Sequence, residues 1–222
     1  MPETRKVFHE ELDQLHADAV RLAAMASESI QAGTASLLDF DLAKAKEVIA
    51  GDKVLDDLTH SIEERTYLLL ARQQPMAVDL RMLVTTLRII HELERIGDLM
   101  VNVAKGARRL YPGPLDPKVR GIIDRMRSQA TAQLQLASDT FAERDPAKAS
   151  ALADMDDVMD DLQKELYRTI FGSTAHDEAE LQRAVQVALL GRYFERIADH
   201  AVNIGERVTY MVTGSFSTDT ST

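Results

Sequence analysis

The sequence predicts an all-α fold of six helices, arranged as two tandem-repeated three-helix bundles. Apolar residues recur at intervals of three and four over long stretches, as on one face of an amphipathic helix. Strand-forming side chains are scarce, since aromatic residues make up 5% of the 222 residues and tryptophan is absent. A motif of the first half also recurs in the second half, which indicates a duplicated helical unit.

The first half is predicted to contain three helices. The first carries a stripe of apolar and small residues over 8–37. Asp41 is a suitable N-cap for the second helix, which runs to about Gln74, where Pro75 interrupts the pattern. The third helix covers about 78–110. Three helices of this length are enough to form one bundle.

A short segment rich in proline divides the chain. Residues 111–117 include three prolines and one glycine, which predicts a linker. The expected organisation is therefore a first bundle over 1–111, a linker over 112–117, a second bundle over 118–213 and a disordered tail over 214–222.

The second half repeats the three-helix plan. A fourth helix is predicted over about 118–143. The dipeptide Asp145-Pro146 reads as an N-cap followed by a first-turn proline, so it starts a fifth helix that continues to Phe171. Residues 172–174 close that helix, and a sixth helix runs over about 177–212.

The internal repeat is clearest around acidic residues. The segment Glu94–Asp98, followed by Asn102, recurs 101 residues later as Glu195–Asp199, followed by Asn203. Asp52 and Asp56 recur 104 residues later. Four acidic pairs result, each with i, i+4 spacing: Asp52 with Asp56, Glu94 with Asp98, Asp156 with Asp160, and Glu195 with Asp199. This spacing places both carboxylates of a pair on one helix face.

The faces that carry these acids are also the apolar faces. Val48 and Leu55 bracket Asp52, and the apolar positions of the third helix lead directly to Glu94 and Asp98. In the sixth helix small residues precede Glu195, which leaves room beside the acids. Buried carboxylates of like charge are costly unless something neutralises them. Asp57 and Asp161 lie one position away and are expected to face solvent.

Three kinds of neutralisation are open: arginines or water, shared protons, and a bound cation. Arginines are disfavoured because the counterparts of Arg81 and Arg88 are Gln182 and Leu189, although every acid is kept. Arg95 is retained as Arg196, but as a neighbour of the glutamate it is expected to point away from the acids.

A cation site would be rich in oxygen. The eight paired acids, with Asn102 and Asn203 one turn further along, suit hard ions such as iron(III), manganese, magnesium or calcium. His200 adjoins Asp199 but has Leu99 as its counterpart, and a single unrepeated histidine is more often a structural or surface residue. The predicted metal ligands are Asp52, Asp56, Glu94, Asp98, Asn102, Asp156, Asp160, Glu195, Asp199 and Asn203.

Composition and the absence of several motifs exclude a number of functional classes. The formal charge of −10 and a pI near 5.1 argue against binding to nucleic-acid phosphates. The absence of cysteine excludes disulfides and thiolate metal sites, and it fits a reducing compartment. No apolar run approaches the length of a membrane span, so a cytoplasmic protein is expected. No Walker loop, dinucleotide fingerprint or Ser-His-Asp signature is present.

Three segments resemble those of a known family. The segments Gln74–Arg81, Glu92–Asp98 and Glu195–Ile204, in this order and with the duplication, look like the PhoU family of bacterial phosphate-regulation proteins. The resemblance covers about residues 5–212. One departure is Ala198, which stands where the family usually has glycine and is expected to tighten the second site.

The resemblance implies a fold of two three-helix bundles and multinuclear metal clusters, of iron or zinc, on the Glu/Asp-x-x-x-Asp motifs. It also implies negative control of the phosphate regulon and an accessory role in phosphate-specific uptake. The partners it implies are a sensor histidine kinase and the ATPase subunit of the phosphate ABC transporter. A homodimer is a further expectation, from the amphipathic bundle itself.

Two rival hypotheses belong to other classes. A metalloenzyme, an oxidase or a phosphatase, would use the clusters catalytically, but it needs an open coordination position and a nearby general acid or base. No histidine or lysine beside the acids is repeated in both halves. A purely structural scaffold would bind no metal. The interpretation that the sequence favours is a regulator that acts by binding and catalyses no reaction.

Overall fold

The computed structural model of this chain describes residues 2–172 and 177–215. Within them the protein consists of six α-helices and no strand, which confirms the predicted fold class. The helices are α1 Pro2–Leu38, α2 Leu42–Gln73, α3 Val78–Leu110, α4 Pro117–Glu143, α5 Pro146–Phe171 and α6 Glu178–Thr213.

The helix ends follow local side-chain chemistry. The Asp41 carboxylate accepts hydrogen bonds from the backbone N–H groups of Ala43 and Lys44, both at 3.0 Å, so it caps α2 as predicted. Asp145 accepts a bond from the Ala147 N–H at 3.0 Å and caps α5 in the same way. Asp116 caps α4, which begins at Pro117, one residue before the predicted start.

Two predicted segments extend beyond the described residues. Helix α5 ends at Phe171 with Gly172 as its C-cap, but Ser173 and Thr174, which were expected to close it, lie outside the described part. The predicted disordered tail over 214–222 is described only as far as Ser215.

The six helices form two bundles that pack against each other. Helices α1, α2 and α3 contact one another, as do α4, α5 and α6. The two bundles meet where α3 packs on α6 and α1 packs on α4. Helices α2 and α5 contact only the helices of their own bundle, so they lie at the flanks.

Within the described residues, one large hydrophobic core joins the bundles. Leu22 and Ile90 of the first half belong to the same cluster of buried residues as Leu134 and Phe194 of the second half, and each of these side chains is at most 1% exposed. Residues 112–117 therefore connect two bundles that share a core, and the predicted domain boundaries at this linker remain predictions. Across the described residues, no helix is both long enough and apolar enough to cross a membrane.

Candidate metal centres

The first acidic cluster consists of Asp52 and Asp56 on α2 with Glu94 and Asp98 on α3. Asp52 is positioned by its helix face, because the flanking Val48 and Leu55 are 8% and 3% exposed. Gly97 makes the close approach of the two helices possible. A Cβ atom at Gly97 would lie 2.9 Å from Asp52 Oδ1, closer than such atoms normally come.

The charges of Glu94 and Asp98 on α3 act on both acids of α2. Burial, followed by the charges of Asp56 and Asp98, raises the pKa of Asp52 from its ordinary value of 3.8 to about 6. Burial, followed by the charges of Glu94 and Asp98, also raises the pKa of Asp56. At neutral pH the first cluster is therefore a region of unfavourable negative charge, as expected for acids on an apolar face.

The second acidic cluster consists of Asp156 and Asp160 on α5 with Glu195 and Asp199 on α6. Glu195 is 9% exposed and counts among the buried residues. Burial, followed by the charge of Asp199, raises the pKa of both Asp156 and Glu195. Ala198, the counterpart of Gly97, is fully buried beside these acids.

Several buried polar atoms at the second acidic cluster lack a partner. Asp156 Oδ1 and Glu195 Oε2 are buried and accept no hydrogen bond from the residues that the structure describes. Gln133 of α4 lies close enough to Asp156 for its amide to lower the pKa of that carboxyl, but its buried oxygen and nitrogen make no hydrogen bond of normal geometry with the described residues. Buried polar atoms are nearly always paired, so these unpaired oxygens are consistent with a ligand that supplies positive charge.

The donor set fits a hard metal ion, since it is composed of carboxylate and amide oxygens. As the side chains stand, no group of three His, Cys, Asp or Glu residues within 2–172 and 177–215 converges closely enough to hold an ion. Metal binding at either cluster would thus require carboxylates to rotate towards a common point.

A basic residue precedes each glutamate by three positions, which the sequence interpretation missed. Arg192 forms an ion pair with Glu195. His91, the counterpart of Arg192, lies 3.2 Å from Glu94 Oε2 and 3.6 Å from Glu63 Oε1. The i, i+3 spacing in both halves was a readable signal, because such residues are neighbours on a helix surface.

The predicted behaviour of the arginines needs one correction. Arg95 does not simply point away from the acids, since its Nη1 lies 3.5 Å from Asp98 Oδ2. The pair forms because residues three apart on α3 are adjacent in space. Arg81, in contrast, donates to the backbone carbonyl of Met211 at 3.1 Å, so it serves the contact between α3 and α6.

The two asparagines differ in their surroundings. Asn102 lines a small surface pocket together with Asp98. Asn203 donates to Glu92 Oε2 at 3.3 Å, and His200 lies 2.6 Å from the same oxygen. The amide of Asn203 is thus engaged across the contact between α6 and α3, an arrangement that the repeat alone did not predict.

The off-face acids behave as predicted. The side chains of Asp57 and Asp161 are 65% and 80% exposed. Each pairs with a lysine, Lys53 at 2.8 Å and Lys164 at 3.1 Å. They belong to the solvated surface and not to the clusters.

Comparison with known proteins identifies similar chains over nearly the whole length. A family model described as PhoU domain matches residues 19–107 and 123–208, one match in each half. A Mycobacterium tuberculosis protein named phosphate-specific transport system accessory protein PhoU homolog 1 is 36% identical, over 97% of each chain.

Solved structures agree with this similarity. The crystal structure of PhoU from Pseudomonas aeruginosa has a TM-score of 0.87 and 29% identity, and covers 94% of this chain and 100% of its own. That of the phosphate transport system regulatory protein PhoU from Streptococcus pneumoniae has a TM-score of 0.86 and 26% identity, with 95% and 99% covered.

Proposed function

Since the chain belongs to the PhoU family, we propose that it is an accessory and regulatory protein of phosphate-specific transport that binds metal ions at its two acidic clusters. In this proposal it exerts negative control over the phosphate regulon. It links the ATPase subunit of the phosphate ABC transporter to a phosphate-responsive sensor histidine kinase. It acts in the cytoplasm as a homodimer, associates with membrane complexes only peripherally, and catalyses no reaction.

The observation that carries the regulatory part is the family membership over the whole chain. The relatives that match nearly end to end bear names that place them in phosphate transport and its regulation. Fold and length agree as well, so this chain contains both bundles of those relatives. A partial match would support only a shared domain.

The observation that carries the metal part is the repeated placement of four carboxylates on two adjacent helices. Both clusters contain acids whose pKa is raised by burial and by neighbouring negative charge. At the second acidic cluster, Asp156 and Glu195 each keep a buried oxygen without a hydrogen bond. A cation would relieve all of these unfavourable interactions together.

The metal ligands would come from both helices of each acidic cluster. Asp52, Asp56, Glu94 and Asp98 would hold ions at the first acidic cluster, and Asp156, Asp160, Glu195 and Asp199 at the second. When bound, the ions would supply positive charge that ties α2 to α3 and α5 to α6. Four carboxylates per cluster suit a multinuclear site of iron, zinc, manganese or magnesium.

Elemental analysis of protein purified without added metal tests the assignment. The variant Glu94→Gln/Asp98→Asn should lose the metal of the first acidic cluster, and Glu195→Gln/Asp199→Asn that of the second. Asp57→Asn and Asp161→Asn are the controls, because they remove exposed acids of α2 and α5 that adjoin the clusters in sequence but lie outside them. Metal content that is unchanged in both cluster variants would overturn the metal part of the proposal.

The regulatory part needs a separate measurement. Tagged protein should capture the kinase and the transporter ATPase from cells, in amounts that differ between high and low phosphate. Treatment with a chelator should reduce this capture if the ions organise the binding surface. Capture that ignores both phosphate and chelator would favour a structural scaffold instead.

A further inference from the structure

Helices α3 and α6 run antiparallel and cross at their repeat-related arginines. Near one end of the contact Arg109 reaches Gln186, and near the other Arg81 reaches the carbonyl of Met211. Midway between these contacts, Arg95 of α3 and Arg196 of α6 line the same surface pocket. The two arginines are equivalent positions of the repeat, so the pocket lies beside the pseudo-twofold axis that relates the two bundles.

The basic pocket has a volume of about 210 Å³ and unusual walls for so acidic a protein. Its cations are Arg95, Lys105 and Arg196. Its other polar groups are the amide of Asn102 and the carboxylate of Asp98. Three positive charges against one negative charge leave a local excess of two, whereas the whole chain carries −10.

Two of these cations form no ion pair in the described part of the chain, although Lys105 lies near enough to Asp52 for its charge to lower the pKa of that carboxyl. Within the described residues Arg95 pairs only with Asp98, at 3.5 Å, and neither Lys105 nor Arg196 forms an ion pair. The chain has ten more acids than bases, so partners are plentiful. Cations that converge on a concave surface without acidic partners are typical of an anion site.

The equivalent place in the second half already contains an anion. There Glu92 reaches across from α3 and accepts hydrogen bonds from Asn203, at 3.3 Å, and from His200, at 2.6 Å. At the basic pocket the corresponding positions are Tyr193 for Glu92 and Leu99 for His200, while Asn102 corresponds to Asn203 and is still an asparagine. Lys105 likewise stands where the second half has Glu206. The first half therefore keeps the amide donor and gains a cation, but it lacks the built-in carboxylate.

We propose that the basic pocket binds inorganic phosphate, held by Arg95, Arg196, Lys105 and Asn102. Arginine and lysine form strong charge-assisted hydrogen bonds with phosphate oxygens. A pocket of 210 Å³ accommodates a five-atom oxyanion.

Asp98 gives the pocket a basis for selectivity. Hydrogen phosphate carries an O–H group near neutral pH and can donate it to the Asp98 carboxylate. Sulfate has no such proton and would place its oxygens against that carboxylate with no hydrogen bond between them. A site with a hydrogen-bonding group rejects an analogue that lacks the matching group. The proposal goes beyond the proposed function. Asp98 also belongs to the first acidic cluster, so the proposal is tested in chelator, where no metal ion occupies that carboxylate.

Isothermal titration of the full chain with inorganic phosphate, in chelator, at low ionic strength and pH 7, tests the proposal. We expect one site per chain. Arg196→Gln and Lys105→Glu should each weaken binding at least tenfold, and the latter introduces the residue of the second half. Arg108→Gln and Arg108→Glu are the matched controls, because Arg108 is exposed on α3 outside the pocket. They should change binding less than twofold, with unchanged helical circular dichroism in all variants.

Two further arms identify the ligand. Sulfate should bind the wild type at least tenfold more weakly than phosphate, and Asp98→Asn should reduce that preference. Adenosine monophosphate distinguishes a phosphate ester from the free ion and should not bind at this site. The proposal is overturned if phosphate does not bind, if the Arg108 variants lose as much affinity as the pocket variants, or if sulfate binds equally well. None of these results bears on the metal content of the clusters, so the two proposals fail separately.

Discussion

The unfavourable electrostatic energy of the first acidic cluster can be measured at Asp52 in protein without metal. Its carboxylate is partly buried against Leu55 and lies near the charges of Asp56 and Asp98, and these effects raise its pKa to about 6. Asp52→Asn removes the charge and keeps nearly the same shape. We expect this variant to be more stable than the wild type at neutral pH when metal is absent.

The magnitude follows from the pKa difference between the folded and unfolded states. The pKa of Asp52 rises from 3.8 to about 6, a difference of about 2.2. At about 1.36 kcal/mol for each pKa unit, the gain in unfolding free energy of Asp52→Asn has an upper limit of about 3 kcal/mol. Asp52 is partly exposed, so solvent screening reduces the expected gain to about 1–2 kcal/mol.

The same difference fixes the pH dependence. The folded protein binds the Asp52 proton more tightly than the unfolded chain does, so this group favours the folded state below about pH 4. That contribution is lost as pH rises from about 4 to 6. The advantage of Asp52→Asn should therefore be absent at pH 4, grow through this window and stay constant above it.

Urea unfolding in chelator at pH 4, 5, 6 and 7.5, followed by circular dichroism, measures this difference. Asp57→Asn is the control, since Asp57 is 65% exposed and pairs only with Lys53, and it should change the unfolding free energy by less than about 0.5 kcal/mol at every pH. The reasoning is refuted if Asp52→Asn is less stable than the wild type at pH 7.5, or if its advantage does not vary with pH.

Three further outcomes are expected. Gly97→Ala should weaken metal binding at the first acidic cluster at least tenfold in a calorimetric titration, because its Cβ would lie 2.9 Å from Asp52 Oδ1 and displace that carboxylate; equal affinity would contradict this steric argument. His200→Leu, which introduces the residue of the first half, should lower the free energy of unfolding by about 1–3 kcal/mol in urea, because Glu92 loses its hydrogen bond of 2.6 Å. Adding Glu92→Gln to this variant should recover part of the loss. A variant as stable as the wild type would contradict the importance of this contact. Phe194→Ala should cost about 3–5 kcal/mol in the same assay because Phe194 is fully buried in the shared core, and a cost below about 1 kcal/mol would be incompatible with that packing.

The sequence predicted the helices well because their signals are local. Asp41 and Asp145 cap α2 and α5 through N–H groups two or three residues away, so the sequence around each cap contains the information needed. The acidic faces were also predictable, since helical periodicity places Asp52 beside Val48 and Leu55 whatever the rest of the chain does.

Contacts between the two halves were not predictable in the same way. Glu92 and His200 are far apart in the chain, and the other half of the repeat has Tyr193 and Leu99 at their positions, so the pattern did not predict their bond across α3 and α6. The proline-rich segment predicted a linker between the bundles, but it carried no information on the core that runs through both of them. Local periodicity says which face of a helix is apolar, but it does not say which other helix covers that face.

The sequence by itself determined six helices, their duplication and the acidic faces, because caps, periodicity and repeats act over a few residues or are visible by comparison of the two halves. Only the tertiary structure decided that α3 and α6 cross at Arg95 and Arg196, and that a basic pocket forms there. The physical reason is that the crossing depends on how the apolar faces of both bundles pack into one core, which is a property of the whole chain.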